Sequence, residues 1–290
     1  MMNIARIDLH MHSTVSDGSD SPEEILAKVK EAGIDLFALS DHDAIEGCNR
    51  IRDILTETDP KFINGVEFSC RDEDGKYHIL GYDYDPESDY IRNVVKKGHE
   101  IRMNKARKRA EFVVNDLGCK IPEEEIENFL KLPNPGKPHL GNLLVKYGYA
   151  RDKQQAIDEF INKAKTAKEY VRPEFAIEGI KKAGGIPVLA HPIYGSGGEL
   201  IMGDEMDARL RKLIAFGLEG VEAFYSDFTK KMRGQMIDFA DRYGLYITAG
   251  SDYHGTNKMI ALGDNGLDEV DGIFPEGLEK FLRRVTHDGD

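Results

Sequence analysis

Cysteine is scarce in this 290-residue chain: Cys48, Cys70 and Cys119 are the only three. The count is odd and no CxxC pair occurs, which argues against a disulfide framework and against a thiolate zinc site. Long apolar runs are also lacking, and none approaches the roughly 20 residues a membrane helix needs. The N-terminal MMNIARIDLH has neither the apolar stretch nor the cleavage site of a secretory signal. These absences point to a cytoplasmic protein that makes no membrane contact. Cofactor loops are missing too: there is no GxxxxGK[ST] and no well-placed GxGxxG, and the SGG at Ser196–Gly198 reads as a loop rather than a phosphate cradle. Positive charge is in deficit, with a formal net charge of -13. An acidic chain gains nothing from general electrostatics when it meets a polyanion, so a small molecule is the expected partner and a long nucleic acid is not.

What is present is the rhythm of a soluble α/β protein. IARIDLHMH reads as a strand. SPEEILAKVKEAG reads as a helix with Ser21 as N-cap, Pro22 at its first position and an end at Gly33. DLFALSDH is a second strand, followed by helix from about Glu46 to Thr58, and FINGVEFS and YHILGYDY are two more strands. Further on, AIEGIKKAGG leads into IPVLAHP, ARLRKLIAFG into EGVEAFY, and TKKMRGQMIDFADRYG into LYITAGSDYH. Helix then strand, repeated, predicts a mostly parallel sheet covered by helices, and closure into a ring makes a barrel. Residues 89–172 break the rhythm: they are charged, helical in period and poor in strand signals. They read as a small helical insertion between the barrel segments 1–88 and 173–290, with VTHDGD as a frayed tail.

Six of the nine histidines fall at or beside strand ends. His10 and His12 in DLHMHS are two apart, so both point to one face while Leu9 and Met11 pack on the other. A lone HxH is as often a pair of satisfied surface histidines. SDHD adds Asp41, His42 and Asp43 where a strand meets the barrel mouth, although Asp43 could be only an N-cap. Glu67 interrupts the apolar run NGVEFS, and a lone buried carboxylate is costly unless paired or metal-bound. His78 lies in YHILGY, His191 ends the strand LAHP, and Asp252 and His254 stand two apart in AGSDYH. Each has a bland explanation alone, but together they predict a metal cluster. Imidazole and carboxylate without thiolate suit zinc, manganese or iron.

Taken in order, DLHMHS, SDHD, GVEFS, YHILGY, AHP and GSDYH resemble the motifs of the PHP (polymerase and histidinol phosphatase) superfamily. The resemblance covers residues 1 to about 86 and about 173 to 284. It implies a distorted (β/α)7 barrel holding two to three divalent ions. It also implies that His10, His12, Glu67 and Asp252 hold one ion, Asp17, His42 and His254 a second, and Glu67, His78 and His191 a third, with Glu67 bridging. Aspartate at position 17, where some members have histidine, makes that site harder and leaves manganese or magnesium open beside zinc and iron.

Adjacent cations neutralise phosphoryl charge and lower the pKa of a bound water, so the expected reaction is hydrolysis of a phosphate ester. Glu67, Asp252, His191 and Asp41 are the candidate catalytic residues, with Asp41 and Asp43 read as orienters of a histidine or water. In the insertion, Arg102, Lys105 and Arg109 share a helical face, and Lys137 and His139 precede a helix in GKPHLGN. These five are the candidate substrate contacts, with a plain solvated helix face as the alternative. The insertion resembles the nucleotide-acting branch of the superfamily. That implies a small nucleotide substrate, first a 3′,5′-bisphosphonucleotide, with a cyclic phosphate or short RNA as alternatives. An amidohydrolase on a similar metal site, or a non-catalytic metal-binding module, are the readings from other classes. Oligomeric state is not legible.

Overall fold

Seven strands pair in sequence order into one sheet. They are β1 (Ile7–Asp8), β2 (Leu36–Leu39), β3 (Lys61–Arg71), β4 (Lys76–Tyr82), β5 (Ile186–Leu189), β6 (Gly220–Tyr225) and β7 (Tyr246–Gly250). The computed structural model describes residues 4–166, 169–194, 200–270 and 273–286. The SGG loop at 196–198 and the end of the predicted tail, 287–290, lie outside them.

The first three strands are parallel, as are the last three, and β4 runs antiparallel to both β3 and β5. The sheet closes on itself: Leu9 N donates to Ala249 O at 2.9 Å and Met11 bridges to Tyr253. The result is the barrel that the alternation of helix and strand predicts, distorted as the family resemblance implies, with helices α1 (Pro22–Glu31), α2 (Glu46–Ile54), α7 (Pro173–Lys182), α8 (Gly203–Phe216), α9 (Lys230–Tyr243) and α10 (Glu276–Thr286) around it. α1 carries the predicted cap: Ser21 Oγ accepts from Glu24 N, Glu24 Oε2 accepts from Ser21 N, and Gly33 follows the helix with φ +65°.

The first strand is shorter than IARIDLHMH suggests. Past Asp8 the chain wedges between the ends of β2 and β7: Met11 N donates to Ser40 Oγ and His12 N to Tyr253 O. Alternation survives all the same, because Leu9 and Met11 are fully buried in the two apolar clusters that flank the barrel wall.

The reversed β4 redirects the chain. It runs from the mouth down to the floor, where Asp85 N bonds Ala183 O at the foot of α7. From there α3 (Asp89–Glu111), with 23 residues, climbs back along α7. Its lower half, Ile91, Val94 and Ile101, belongs to the barrel core. Its upper end joins α4 (Glu123–Lys131), α5 (Lys137–Lys146) and the short α6 (Lys153–Gln155) around a separate apolar cluster that includes Val113, Phe129, Leu140, Leu144 and Ile161. Among the described residues no helix is long and apolar enough to cross a membrane.

Candidate metal centre

Every predicted ligand sits at the mouth, where the parallel strands end. Glu67 on β3 is the hub. Its side chain is 1% exposed, and its two oxygens lie 2.8 Å from His78 Nδ1, 2.9 Å from His42 Nδ1, 3.1 Å from His191 Nε2, 3.3 Å from His12 Nε2 and 3.4 Å from His10 Nε2. Asp252 Oδ1 lies 3.3 Å from His12 Nε2 and 3.5 Å from His10 Nε2. Asp17 Oδ1 lies 3.3 Å from His254 Nε2.

Glu67 Oε1 is within hydrogen-bond reach of His78 Nδ1 and His191 Nε2, but much of the rest of the cluster is crowded without bonding. His10 Nε2, His12 Nε2, His42 Nδ1, Asp17 Oδ1 and Glu67 Oε2 are buried and have no hydrogen-bond partner. Buried polar atoms are almost always satisfied. Two atoms about 2.1 Å from a shared ion at a tetrahedral angle lie about 3.4 Å apart, which is the spacing found here. The donor set therefore fits divalent cations. Ligand atoms within 4.8 Å of one another group as His10, His12 and Glu67; as His12, Asp17, His42 and His254; and as His42, Glu67 and His78. The family-based partition differs in detail: His12 joins the Asp17 group here and His42 the His78 group, while His191 reaches the latter through His78 Nδ1 at 3.2 Å.

The electrostatics agree with the geometry. Burial alone would raise the carboxyl pKa values, but the surrounding imidazoles outweigh it and hold Asp17, Glu67 and Asp252 well below the usual range. Conversely, burial disfavours charge on His10 and His254. The carboxylates outweigh it, raising His10 well above 6.5 and His254 to about 9.

The backbone is bent to achieve this. His191 has φ +29° and Asp252 φ +58°, conformations held only where the surroundings enforce them. Ring orientation is set from behind: His254 Nδ1 donates to Asp252 O at 2.9 Å, freeing Nε2 for the cluster.

Several of these supports escape a reading of the sequence. Glu222, fully buried on β6, accepts from His10 Nδ1 at 2.9 Å and from His191 N at 2.7 Å. Its signal was present, since EGVEAFY places a lone carboxylate in an apolar strand just as NGVEFS does. Gly250 makes room for this pair: a Cβ there would come within 2.2 Å of His10 Cβ and 2.6 Å of Glu222 Oε1. Asp8 braces the same corner, accepting from Ser251 N, Ser251 Oγ and Gly263 N. Lys258 Nζ and Tyr225 Oη converge on Asp252 Oδ2 at 2.8 and 2.9 Å, leaving Oδ1 to face the histidines. Nothing in the sequence marks Lys258. Glu222→Ala is expected to weaken metal binding or turnover about 10- to 100-fold, with Glu222→Gln losing less; metal affinity equal to wild type in the alanine variant, by calorimetric titration, would contradict the role.

Two expectations require correction. Asp41 is not among the reacting groups. Neighbours along a strand point to opposite sides, so with His42 turned to the cluster Asp41 turns away, and its carboxylate accepts from Ser13 N, Ser13 Oγ and Ser16 Oγ at 2.6–2.8 Å. It anchors the loop that carries Asp17, and Ser16 Oγ in turn meets His12 Nδ1 at 3.4 Å. The N-cap alternative for Asp43 is also excluded: α2 begins at Glu46 with Ile45 in the cap position and no side-chain cap, and Asp43 instead pairs with Arg102 at 2.7 Å. Gly98 lets α3 approach that close, since a Cβ there would lie 2.6 Å from Asp43 Oδ1.

Beside the cluster opens a cavity of about 260 Å³ whose walls include Asp17, His42 and His78 together with Lys76, Arg102, Lys105, Arg109, Lys137 and Tyr170. Arg102 is committed to Asp43 and Ser69 Oγ. Lys105 is buried with its Nζ 3.0 Å from the centre of the Tyr170 ring, and Lys137 bonds the neutral Asn162. His139 does not line the cavity: its Nδ1 accepts from Gly136 N at the head of α5. Burial and neighbouring cations push Lys105 down to about 7 and Lys137 to about 8. The described walls of this cavity thus carry five cationic side chains, Lys76, Arg102, Lys105, Arg109 and Lys137, against two carboxylates, Asp17 and Asp43.

The profile of the PHP domain matches residues 8–180 of the chain. A 5′-3′ exoribonuclease of Haemophilus influenzae is 31% identical over 95% of this chain and 99% of its own length. A phosphoribosyl 1,2-cyclic phosphate 1,2-diphosphodiesterase of Eggerthella lenta is 30% identical over 86% of this chain and 94% of its own. A 3′,5′-nucleoside bisphosphate phosphatase of Chromobacterium violaceum is 28% identical over 88% of this chain and 89% of its own. Among solved structures, a metal-dependent phosphoesterase of Bifidobacterium adolescentis superposes with a TM-score of 0.80 at 26% identity, covering 89% of this chain and 91% of that one. With the cluster and these likenesses together, the chain belongs to the PHP family and is a metal-dependent hydrolase of phosphate esters.

Proposed function

We propose that the protein removes the 3′-phosphate from a small nucleotide that also carries a 5′-phosphate. The observation that carries this reading is the cationic cavity beside the cluster, which offers a second phosphate its own seat. A relative named 3′,5′-nucleoside bisphosphate phosphatase supports it, and another named 5′-3′ exoribonuclease is compatible with the same first step on short RNA.

In this reading His10, His12, Asp17, His42, Glu67, His78, His191, Asp252 and His254 hold two to three divalent ions. Bound there, the ions would supply charge neutralisation for the phosphoryl oxygens and acidify a water. The chain does the rest. Lys105, Arg109 and Lys137 bind the distal phosphate, Lys105 and Lys137 as ammonium point charges. Arg102, held by Asp43, adds positive potential. Residues 89–172 act as the substrate-selecting segment, fixed to the wall through the lower half of α3.

The test is the pairing of substrates. Lys105→Met is expected to raise KM for adenosine 3′,5′-bisphosphate about 10- to 100-fold, the loss of one charge-assisted contact of about 1.5–3 kcal/mol, while hydrolysis of adenosine 3′-monophosphate stays near wild type. Because both lysines titrate near 7 to 8 in the free protein, they must gain protons to grip phosphate, so KM for the bisphosphate is expected to rise as pH increases through that range. Equal losses on both nucleotides would remove the second-phosphate site from the reading.

A further inference from the structure

Lys76 is the first residue of β4, two positions before the proposed ligand His78. Residues two apart on a strand share a face, so Lys76 stands on the cluster side of the sheet, while Tyr77 between them is buried on the other. A second cavity, of about 510 Å³, meets the cluster at His78, His191 and Asp252. It shares only Lys76 and His78 with the cationic cavity among their described walls. Lys76 therefore lies where both openings converge on the reacting centre.

Its mount is fixed and its charge is free. The hairpin tip before it turns at Gly75, φ +149°, with Asp72 Oδ1 accepting from Asp74 N at 2.9 Å and from Gly75 N at 3.3 Å. Lys212 clamps that tip to α8: its Nζ lies 2.9 Å from Asp72, 2.8 Å from Glu73 and 2.5 Å from Asp74. The acidic tip thus has its own counter-ion and leaves Lys76 unneutralised. Other cations nearby are engaged: Arg102 with Asp43, Lys137 with Asn162, Arg209 with Glu205, and Lys105 against the face of Tyr170. Among the described residues the Lys76 ammonium has no hydrogen bond or ion pair. It lies 5.7 Å from the centre of the Tyr170 ring.

Resting on the phosphatase reading above, we infer that Lys76 is a catalytic and specificity-determining residue, whose ammonium binds a free oxygen of the phosphoryl group under attack and so selects terminal phosphates over diesters. A monoester phosphoryl group brings about two negative charges and three acceptor oxygens. A diester has surrendered one of those oxygens and one charge to its second alcohol. That alcohol would have to leave through the second cavity, past Lys76, setting an uncharged ester oxygen against an ammonium that needs a charged one. In the reaction water oxygen bonds to phosphorus, the bond from phosphorus to the 3′-oxygen of the nucleoside breaks, and that oxygen takes a proton. Lys76 transfers nothing; it fixes the phosphoryl oxygen while those bonds exchange. The role differs from that of Lys105 and Lys137, which hold the distal 5′-phosphate.

The experiment uses metal-loaded protein and three substrates: adenosine 3′,5′-bisphosphate, adenosine 3′-monophosphate, and the 3′-methyl ester of the bisphosphate. Lys76→Met is expected to lower kcat/KM about 100-fold on both monoesters alike, and less than about tenfold on the methyl ester, so that the preference for a terminal phosphate narrows. Lys76→Arg keeps the charge and is expected to retain most of that preference. Binding of inorganic phosphate, followed by calorimetric titration, is expected to weaken about tenfold in Lys76→Met, with metal content by elemental analysis equal to wild type. Loss confined to the bisphosphate would place Lys76 with the distal phosphate. Equal loss on all three substrates would make it a general source of potential, and reduced metal content would make it a support of the cluster. Each of these overturns the assignment, as does an unchanged rate. Failure of wild type on both monoesters would instead sink the phosphatase reading on which it rests.

Discussion

Glu67→Gln is expected to lower kcat by about a thousandfold, on the order of 4 kcal/mol of transition-state stabilisation. Glutamine keeps the shape of the side chain and changes only its charge and its donor pattern. That is enough here, because five imidazole nitrogens lie within 3.4 Å of the Glu67 oxygens. The amide nitrogen offers no lone pair to an ion, and its N–H groups would compete with the ions for the lone pairs of the facing imidazole nitrogens. The variant is therefore expected to lose at least one equivalent of bound metal, measured by elemental analysis on the same sample as kcat. It should still fold, since the barrel core lies below the cluster and does not depend on this charge. A variant with full metal content and wild-type kcat would show that Glu67 bridges nothing.

Removing the metal is expected to abolish turnover and to change how stability depends on pH. In the metal-free protein the carboxylates of the cluster favour the protonated forms of His10 and His254. His254 is raised from 6.5 to about 9, so its contribution is fully present below pH 6.5 and is lost as pH rises through about 9. For that group alone the loss is about 3 kcal/mol, and His10 moves in the same direction. Chelated protein is thus expected to melt at a lower temperature at pH 9.5 than at pH 6.5. Bound ions replace those protons, and ligand imidazoles must be neutral to bind them. The loaded protein should therefore show little of this decline, and the gap in Tm between loaded and chelated samples should widen with pH. Parallel Tm curves over that range would count against the proton-for-metal exchange.

The two kinds of site residue differ in how much of them could be read from the chain. Glu67 and the histidines were legible because each breaks a strand pattern: an ionisable group where the alternation or the apolar run calls for something else. Glu222 obeys the same rule, and one more application of it would have found that residue. Which of Asp41, His42 and Asp43 faces the cluster was not legible, because a run of three polar residues at a strand end does not say which of them points inward; that depends on the local twist of the β2 exit. Lys258 was invisible, since its role comes from a loop whose position only the folded chain determines, and so was the partnership of Tyr225, at the end of β6, with Asp252 27 positions away. The cationic face of α3 was legible from its spacing, but the commitment of Arg102 to Asp43 was not, because that pair spans 59 positions in sequence. The barrel itself followed from rhythm. The reversal of β4 did not, because a strand reads the same in either direction.

That reversal makes α3 a ruler. Its foot is pinned at the barrel floor and its upper turns carry Arg102, Lys105 and Arg109, so under the proposed bisphosphate reading the distance from the reacting phosphorus to the second phosphate would be set by a residue count, adjustable in steps of about 1.5 Å along the axis and about 100° around it. Removing one residue would both shorten the measure and turn the cations off the site. A change of whole turns is the smallest edit that keeps their direction, and it moves them by about 5.4 Å. Descendants of this architecture would therefore shift between substrates of different phosphate separation in jumps rather than by gradual drift.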